Sequence, residues 1–159
     1  MRLLRKQTDL IFSHAESNYP DECCGLIVGP KGEDSDLGDF EIILCRNIQN
    51  DMHKLDPETY PRTARTAFLI EPKEFLRIDN SAKEGKVLKA IFHSHPDEES
   101  YFSDEDKRAA VPFGDIPTFP DANHVVISIR QNEVKETKVF AWDQGKKNFV
   151  QRVFNVVDD

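Results

Sequence analysis

One strand-like segment that ends in two histidines constrains the chain more than any other feature. Residues 86–93 read KVLKAIFH, an apolar run typical of a buried strand, and the chain continues through Ser94, His95 and Pro96. Side chains at positions i and i+2 of a strand point to the same face. We therefore expect His93 and His95 to reach one point together, at the end of a strand that the fold must bury.

A third candidate ligand follows in the next segment. Asp106 stands in the helix-like stretch 104–110, after a polar loop that ends in Ser103 and that can fold back towards the histidines. Two imidazoles and one carboxylate suit zinc, and three protein ligands leave the fourth tetrahedral position open for water. The pattern thus predicts a catalytic zinc site formed by His93, His95 and Asp106.

Ser103 and Asp106 also have a purely structural interpretation. Their spacing approximates a capping box, in which Ser103 caps the helix and an acidic residue is favoured near the helix N-terminus. The two roles of Asp106 can coexist, because a capped helix start fixes the position of the carboxylate. Both interpretations therefore remain open from the sequence.

Glu22 is a spare carboxylate just before a short apolar strand at residues 24–28. If it lies within hydrogen-bond reach of a water on the zinc, it can take the proton as general base and later pass it to a leaving amine. An isolated glutamate is usually a solvent-exposed loop residue. Only the combination with the three-ligand pattern favours a catalytic role for Glu22.

The other histidines and the cysteines lack ligand spacing. We expect His14, His53 and His124 to be surface or packing residues. Cys23 and Cys24 are adjacent, and adjacent strand residues face opposite sides, so burial is favoured over metal binding or a nucleophilic thiol. Three cysteines give no even disulfide framework, which favours reduced thiols.

Length and charge limit the class of protein. The 159 residues fit one domain, residues 1–159, that is large enough to bury its own core. A formal net charge of -8 opposes attraction to nucleic acid or to an anionic membrane, so we expect neither as a partner. Charged side chains interrupt the apolar ones in residues 1–19, which argues against a signal peptide and favours the cytoplasm. The oligomeric state is left open.

Helix-like and strand-like segments alternate along the chain. This predicts an α/β (α+β) domain whose mixed, mostly antiparallel central sheet is flanked by a helix in residues 1–19 and a helix from Pro72 to about Glu84. A short helix begins at Ser103, residues 29–39 form a turn, and residues 47–66 are expected to be irregular. The predicted strands are residues 24–28, 40–46, 86–93, 124–130, 135–142 and 148–153, with a further one expected at 67–70.

Taken together, these residues resemble the signature of the JAMM, or MPN-plus, metalloproteases. That signature is a distant Glu, then His-x-His-Pro, a short spacer and Ser-x-x-Asp, and this chain matches every fixed position. The resemblance spans nearly the whole chain, whose compact length is more similar to the stand-alone prokaryotic members. It implies a single MPN/JAB domain with zinc on His93, His95 and Asp106, and with Glu22 as general base. It also implies that Ser103 orients the water or hydrogen-bonds the oxyanion, with a helix cap as the alternative role.

The resemblance further implies an activity. Such enzymes are zinc metalloproteases that hydrolyse the amide bond after the C-terminal glycines of ubiquitin or a ubiquitin-like protein, which would be the partner, free or as its conjugates. Prokaryotic relatives also include proteins that release the adduct of a sulfur-carrier protein and phage-tail proteins linked to cell-wall peptidases. We expect residues 47–66 and 111–121 to contact the folded body of the substrate.

Two other classes of protein are alternatives to a peptidase. A non-catalytic MPN scaffold generally lacks the metal ligands that this chain carries. A deaminase-like zinc enzyme would need a Pro-Cys-x-x-Cys pair, which this chain does not have. The scaffold is therefore the nearer alternative to the peptidase.

Overall fold

The computed structural model of the chain describes residues 1–32 and 36–159. Its helices are α1 (Arg5–Asn18), α2 (Gln49–Leu55), α3 (Pro72–Ala82) and α4 (Asp104–Ala110), with a 3-10 turn at Leu37–Asp39. Its strands are β1 (Arg2–Leu4), β2 (Cys24–Pro30), β3 (Glu41–Cys45), β4 (Lys86–Pro96), β5 (Asn123–Arg130), β6 (Glu133–Asp143), β7 (Asn148–Arg152) and β8 (Asn155–Val157). None of the helices in these residues is long and apolar enough to span a membrane.

Six of the strands form one sheet in the order β3-β2-β4-β5-β6-β7. Only β4 and β5 pair in parallel, and the other neighbours pair antiparallel. A parallel pair needs a long crossover connection, and here that connection contains α4. The predicted fold class, a mixed and mostly antiparallel sheet with helices, is therefore confirmed.

Helices cover both faces of the sheet, as predicted. On one face Ile11 and Ala15 of α1 pack in a buried cluster with Ile27 of β2. On the other face Phe75 of α3 packs against a second cluster that contains Leu26. Because successive strand residues alternate between faces, β2 supplies apolar side chains to both layers and is buried on both sides. The strand that follows Glu22 is thus central to the fold.

Two local predictions were wrong. Residues 47–66 were expected to be irregular, yet they contain α2 (Gln49–Leu55). Residues 67–70 were expected to form a strand, but their contribution to pairing is a single bridge between Asn47 and Ile70. The Asn47 side chain explains both, since its Oδ1 accepts hydrogen bonds from the N–H groups of Gln49 and Leu69 at 3.0 Å each.

The chain termini also differ from the prediction. The first residues, expected to be helical, form β1, which pairs in parallel with β8, a strand that the sequence pattern did not reveal. The helix α1 accordingly begins at Arg5. Part of the predicted turn at 29–39 lies outside the described residues.

Gly25 of β2 lies in register with Phe92 of β4, and a larger residue there should destabilise the fold. A Cβ at Gly25 would lie 2.1 Å from the Phe92 ring and 2.5 Å from the Ile43 carbonyl oxygen. We expect Gly25→Ala to lower the free energy of unfolding by about 1–3 kcal/mol or more in urea denaturation. The control is Gly145→Ala, whose Cβ would first meet Asp143 Oδ1 at 3.3 Å and which should change stability by less than about 0.5 kcal/mol. Equal effects of the two substitutions would contradict this account.

Candidate metal centre

The end of β4 brings His93 and His95 together, as the strand alternation predicts. Their Nε2 atoms lie 3.1 Å apart, and the two residues are 1% and 6% exposed. His93 is held in register between Cys24 of β2 and Val126 of β5. Both imidazoles therefore point to one buried spot at the end of a central strand.

Asp106 reaches the same spot from the start of α4. Its Oδ1 lies 3.2 Å from His93 Nε2 and its Oδ2 lies 3.3 Å from His95 Nε2. The predicted capping box is also present, because Ser103 Oγ accepts from the Asp106 N–H at 3.1 Å and the Ser103 N–H donates to Asp106 Oδ2 at 3.0 Å. The two roles weighed for Asp106, cap and contact with the histidines, thus occur in one carboxylate.

The chemistry of these donors fits a divalent metal ion. His95 Nδ1 lies 2.8 Å from the Glu99 carbonyl oxygen, which can only accept, so Nδ1 must carry the proton. The neutral ring then presents the Nε2 lone pair towards His93 and Asp106, which is the usual orientation of a metal-binding histidine. Two imidazole nitrogens and a carboxylate that converge in this way match the donor set of zinc.

Glu22 lies beside this centre. A carboxyl oxygen of Glu22 and one ring nitrogen each of His93 and His95 lie within 4.8 Å of one another, so Glu22 and Asp106 are both close enough to be considered as the third ligand. Glu22 is 5% exposed. Asn47 Nδ2 donates to the Glu22 carbonyl at 2.9 Å, and the Glu22 N–H donates to the Ala64 carbonyl at 2.7 Å.

Electrostatics separate the two carboxyl groups. Burial and the charge of Asp106 raise the pKa of Glu22 to about 9, although Arg62 opposes the rise. Burial also opposes ionisation of Asp106, but His93 and His95 in their protonated forms outweigh it through charge and hydrogen bonds and hold that pKa well below its usual range. A cation bound between the neutral rings would favour the ionised carboxylate in the same way. An ionised Asp106 in contact with both imidazoles favours the ligand role for this residue. Glu22, buried within reach of the same ring nitrogens, is placed to transfer a proton rather than to serve as the ionised ligand.

Ser94, the residue between the two histidines, joins β4 to β2 by hydrogen bonds. This role was not identified from the sequence. Its Oγ accepts from the Cys23 N–H at 2.7 Å, and its own N–H donates to the Cys23 carbonyl at 3.1 Å. These bonds tie the start of β2 to the end of β4 and so fix Glu22 beside His93. Asn47 and the Glu99 carbonyl were also missed, because nothing in their local sequence marks them as partners of the site.

Two cavities flank the centre, and Asp106 lines both of them. The one we call the apolar cavity measures about 410 Å³ and lies on the side of His93. The one we call the polar cavity measures about 540 Å³ and lies on the side of His95, Glu22 and Ser103. Aromatic residues of the apolar cavity are Phe68, Phe75, Phe102, Phe119 and His124, and arginines of the polar cavity are Arg62, Arg65 and Arg108.

The segments expected to contact a substrate border these cavities. Residues 47–66 contribute Arg62 and Arg65 to the polar cavity, and residues 111–121 contribute Phe119 to the apolar one. The structure therefore places both loops next to the candidate centre.

The remaining histidines and cysteines have packing roles. His14 Nε2 lies 3.1 Å from the carbonyl oxygens of Cys24 and Cys45, and His53 Nδ1 lies 2.7 Å from the Tyr60 carbonyl oxygen. All three cysteines are buried and free. Burial raises the pKa of Cys45 to about 12, so this thiol is not a nucleophile near neutral pH.

The chain is similar to known proteins over most of its length. The family model described as prokaryotic homologues of the JAB domain matches residues 5–144. Proteins named CysO-cysteine peptidase from Mycobacterium bovis and Mycobacterium tuberculosis are 28% identical over 129 residues, which cover 80% of this chain and 73% of those proteins.

Solved structures share the fold. A protein from Desulfitobacterium hafniense has a TM-score of 0.70 at 23% identity, and the match covers 99% of this chain and 93% of that one. A protein from Salinibacter ruber has a TM-score of 0.60 at 22% identity, with 100% and 92% covered. A JAB1/MPN domain protein from Archaeoglobus fulgidus has a TM-score of 0.50 at 19% identity, with 97% and 98% covered.

Loss of the Ser103 hydroxyl should weaken both α4 and the metal centre. Ser103→Ala removes the acceptor for the Asp106 N–H, and we expect it to lower the free energy of unfolding of the metal-free protein by about 1 kcal/mol. Because Asp106 is then held less firmly, zinc affinity should fall roughly tenfold or more. Urea denaturation and a competitive zinc titration measure the two effects. Ser103→Thr keeps the hydroxyl and serves as control; an unchanged zinc affinity in Ser103→Ala would show that the cap does not position Asp106.

His124 should make stability depend on pH in the acid range. Burial lowers its pKa from 6.5 to about 4, with the charge of His93 as a smaller cause. Between these values the unfolded chain binds more protons than the folded one, so stability is complete above pH 6.5 and falls as the pH drops towards 4. The full contribution is about 3 kcal/mol. In His124→Phe, which keeps a ring beside Phe102, the fall in urea midpoint from pH 7 to pH 4 should be smaller than in the wild type. Parallel curves for the two proteins would exclude this role of His124.

Proposed function

Because the chain belongs to the family of prokaryotic homologues of the JAB domain, we propose that it is a zinc-dependent peptidase that hydrolyses the amide bond at the C-terminus of a small carrier protein. One observation carries the proposal. The Nε2 atoms of His93 and His95 and the Asp106 carboxylate converge within 3.3 Å of one another, with Glu22 buried beside them. In this proposal residues 1–159 act as one domain.

His93, His95 and Asp106 would hold the metal ion. When bound, zinc supplies Lewis acidity, which lowers the pKa of water to about 7 and polarises a carbonyl group. Two of the three ligands are oriented by hydrogen bonds. His95 Nδ1 donates to the Glu99 carbonyl, and the Ser103 N–H donates to Asp106 Oδ2. Three protein ligands leave room for water and substrate, which distinguishes a catalytic site from a structural one.

Glu22 moves the proton. In amide hydrolysis the carbonyl carbon gains an oxygen from water, the C–N bond breaks, and the nitrogen must receive a proton to leave as an amine. Glu22 is buried beside the ligands, and a cation bound there would favour its ionised form, which accepts a proton and holds it between the two steps. It therefore takes the proton from the attacking water and delivers it to the leaving nitrogen.

Ser103 can serve both as the cap of α4 and as a hydrogen-bond donor to the oxyanion. Its Oγ accepts from the Asp106 N–H, which leaves the hydroxyl proton available for donation. Ser103 also lines the polar cavity, where a substrate carbonyl would be accessible to it. We propose that the hydroxyl donates to the oxyanion that develops during attack, while the same oxygen caps α4.

The relatives named CysO-cysteine peptidase support one substrate class above others, a sulfur-carrier protein with an amino acid on its C-terminus. A ubiquitin-like protein or its conjugates is the second candidate, because the JAMM-type arrangement of Glu22, His93, His95, Ser103 and Asp106 suits the hydrolysis of either amide bond. The complete ligand set argues against a non-catalytic scaffold.

Glu22→Gln tests the mechanism. The amide keeps the size of the side chain but cannot carry the proton, so we expect kcat to fall about 10²–10⁴-fold while zinc content stays unchanged. Cleavage is measured by mass spectrometry on a panel of sulfur-carrier and ubiquitin-like proteins with a C-terminal cysteine or a fused partner, with zinc measured on the same samples.

The matched control is Glu16→Gln, which alters an exposed residue of α1 and should cleave at the wild-type rate. A Glu22→Gln variant with full zinc and full rate would exclude Glu22 as the proton carrier. Zinc-loaded wild type that cleaves no member of the panel would contradict the peptidase proposal.

A further inference from the structure

The two cavities differ in which catalytic group they offer to a substrate. Glu22 and Ser103 line the polar cavity, and neither lines the apolar one. Since Glu22 must deliver a proton to the leaving nitrogen, that nitrogen has to lie on the Glu22 side of the centre. The acyl part of the substrate then extends towards the other side. The substrate is thereby oriented across the centre.

We propose that the leaving group occupies the polar cavity and is a single amino acid whose free carboxylate binds the guanidinium group of Arg62. The proposal rests on the peptidase function argued above and specifies its leaving group. The reaction adds water across the amide bond, so the products are the carrier with a free C-terminal carboxylate and the free amino acid with its protonated amine.

Acidic residues also line the polar cavity, and among its three arginines Arg62 has the loosest ion pair. Arg65 lies 3.4 Å from the Asp97 carboxylate, and Arg108 lies 2.8 Å from Glu105. Arg62 has looser partners, because its nearest carboxylate is that same Glu105 at 3.8 Å. Its Nη1 donates to the Thr66 carbonyl at a long 3.4 Å. Most of the five N–H donors of Arg62 thus remain available to a carboxylate.

Arg62 also lines the same cavity as Glu22 and Ser103, so its guanidinium group borders the space in which the leaving group would lie. An amino acid bound through its amide nitrogen near Glu22 carries its α-carboxylate only two bonds further on. In the proposal the guanidinium on the wall of this cavity binds that carboxylate, and a bidentate pair would also fix the nitrogen for protonation.

A conjugate to a protein lysine fits this cavity less well. Its leaving group is a lysine side chain, which presents no carboxylate near the scissile bond and would leave Arg62 without its anionic partner. The polar cavity, at about 540 Å³, has room for a single amino acid. Arg62 therefore favours an amino-acid adduct over a protein conjugate as the substrate.

The apolar cavity receives the acyl part. Phe68 stacks on the His93 ring with 4.5 Å between ring centroids, and Phe75 stacks on Phe119 at 5.6 Å, so the walls beside the centre are aromatic. Exposed Ala109 of α4 stands at the rim. An apolar side chain near the C-terminus of the carrier would be buried there, since this surface gains most from losing water.

The experiment compares two forms of each substrate. Carrier proteins of the panel, each with a C-terminal cysteine, are prepared as the free acid and as the carboxamide. Zinc-loaded wild type should prefer the acid by about tenfold to a hundredfold in kcat/KM, as expected for a charge-assisted hydrogen bond. In Arg62→Gln the acid-to-amide ratio should fall to near one, and in Arg62→Lys it should be intermediate. Any general effect of Arg62 on Glu22 cancels in this ratio.

The control is Arg152→Gln, which removes an exposed arginine with a similarly loose ion pair of 3.9 Å and should keep the wild-type ratio. A second measurement needs no catalysis: metal-free protein is titrated with both forms by calorimetry, and the same dependence on Arg62 should appear in Kd. Equal use of acid and amide by the wild type, or a preference that survives in Arg62→Gln, would overturn the proposal.

Different results would overturn the peptidase function and the carboxylate site at Arg62. If zinc-loaded wild type cleaves no form of any carrier, the peptidase function is overturned, whereas an acid preference in binding that depends on Arg62 would still support the carboxylate site.

Ala109→Leu tests the orientation of the substrate. Because the larger side chain narrows the apolar cavity, KM should rise several-fold while the acid-to-amide ratio stays unchanged. Ala82→Leu on α3 is the control. If the acid-to-amide ratio changed in Ala109→Leu, the leaving group would lie in the apolar cavity, and the proposed orientation would be overturned.

Discussion

The pairing between the start of β2 and the end of β4 is the contact on which the rest of the site depends. Cys24 is in register with His93, and the hydrogen bonds between Cys23 and Ser94 continue the pairing past the last regular position. Glu22 is therefore placed beside the histidines by main-chain geometry. The absence of a side chain at Gly25 permits this close approach, because the Phe92 ring occupies the space that a Cβ would need.

A second constraint is electrostatic. Four titratable side chains, Glu22, His93, His95 and Asp106, are buried within a few ångströms of one another, and burial of charge is unfavourable unless the charges are paired. Positive charge between the imidazoles, from their protons or from a bound cation, keeps Asp106 ionised, while burial and the negative charge of Asp106 raise the pKa of Glu22. One carboxylate is thus specialised to hold a cation and the other to carry a proton, although both are acids in the same small volume.

The topology of the sheet explains why the site has two different sides. The parallel pairing of β4 with β5 requires a crossover, and that crossover delivers α4 and Asp106 to the end of β4. The first part of the crossover borders the polar cavity, and its later part, with Phe119, borders the apolar one. The chemical asymmetry that orients a substrate in our proposal is therefore a consequence of one connection between neighbouring strands.

By itself the sequence determined the features that depend on local geometry. The alternation of a strand paired His93 with His95, and the Ser103–Asp106 spacing indicated a capped helix start with an acid, so the candidate ligands, Glu22 and most strands could be predicted. Only the tertiary structure decided the features that depend on distant contacts. These are the contact of Asn47 with Leu69, the pairing of β1 with β8, and the position of Arg62 in the same cavity as Glu22. Each of them joins segments far apart in the chain, and a local pattern carries no information about which distant group will become its neighbour.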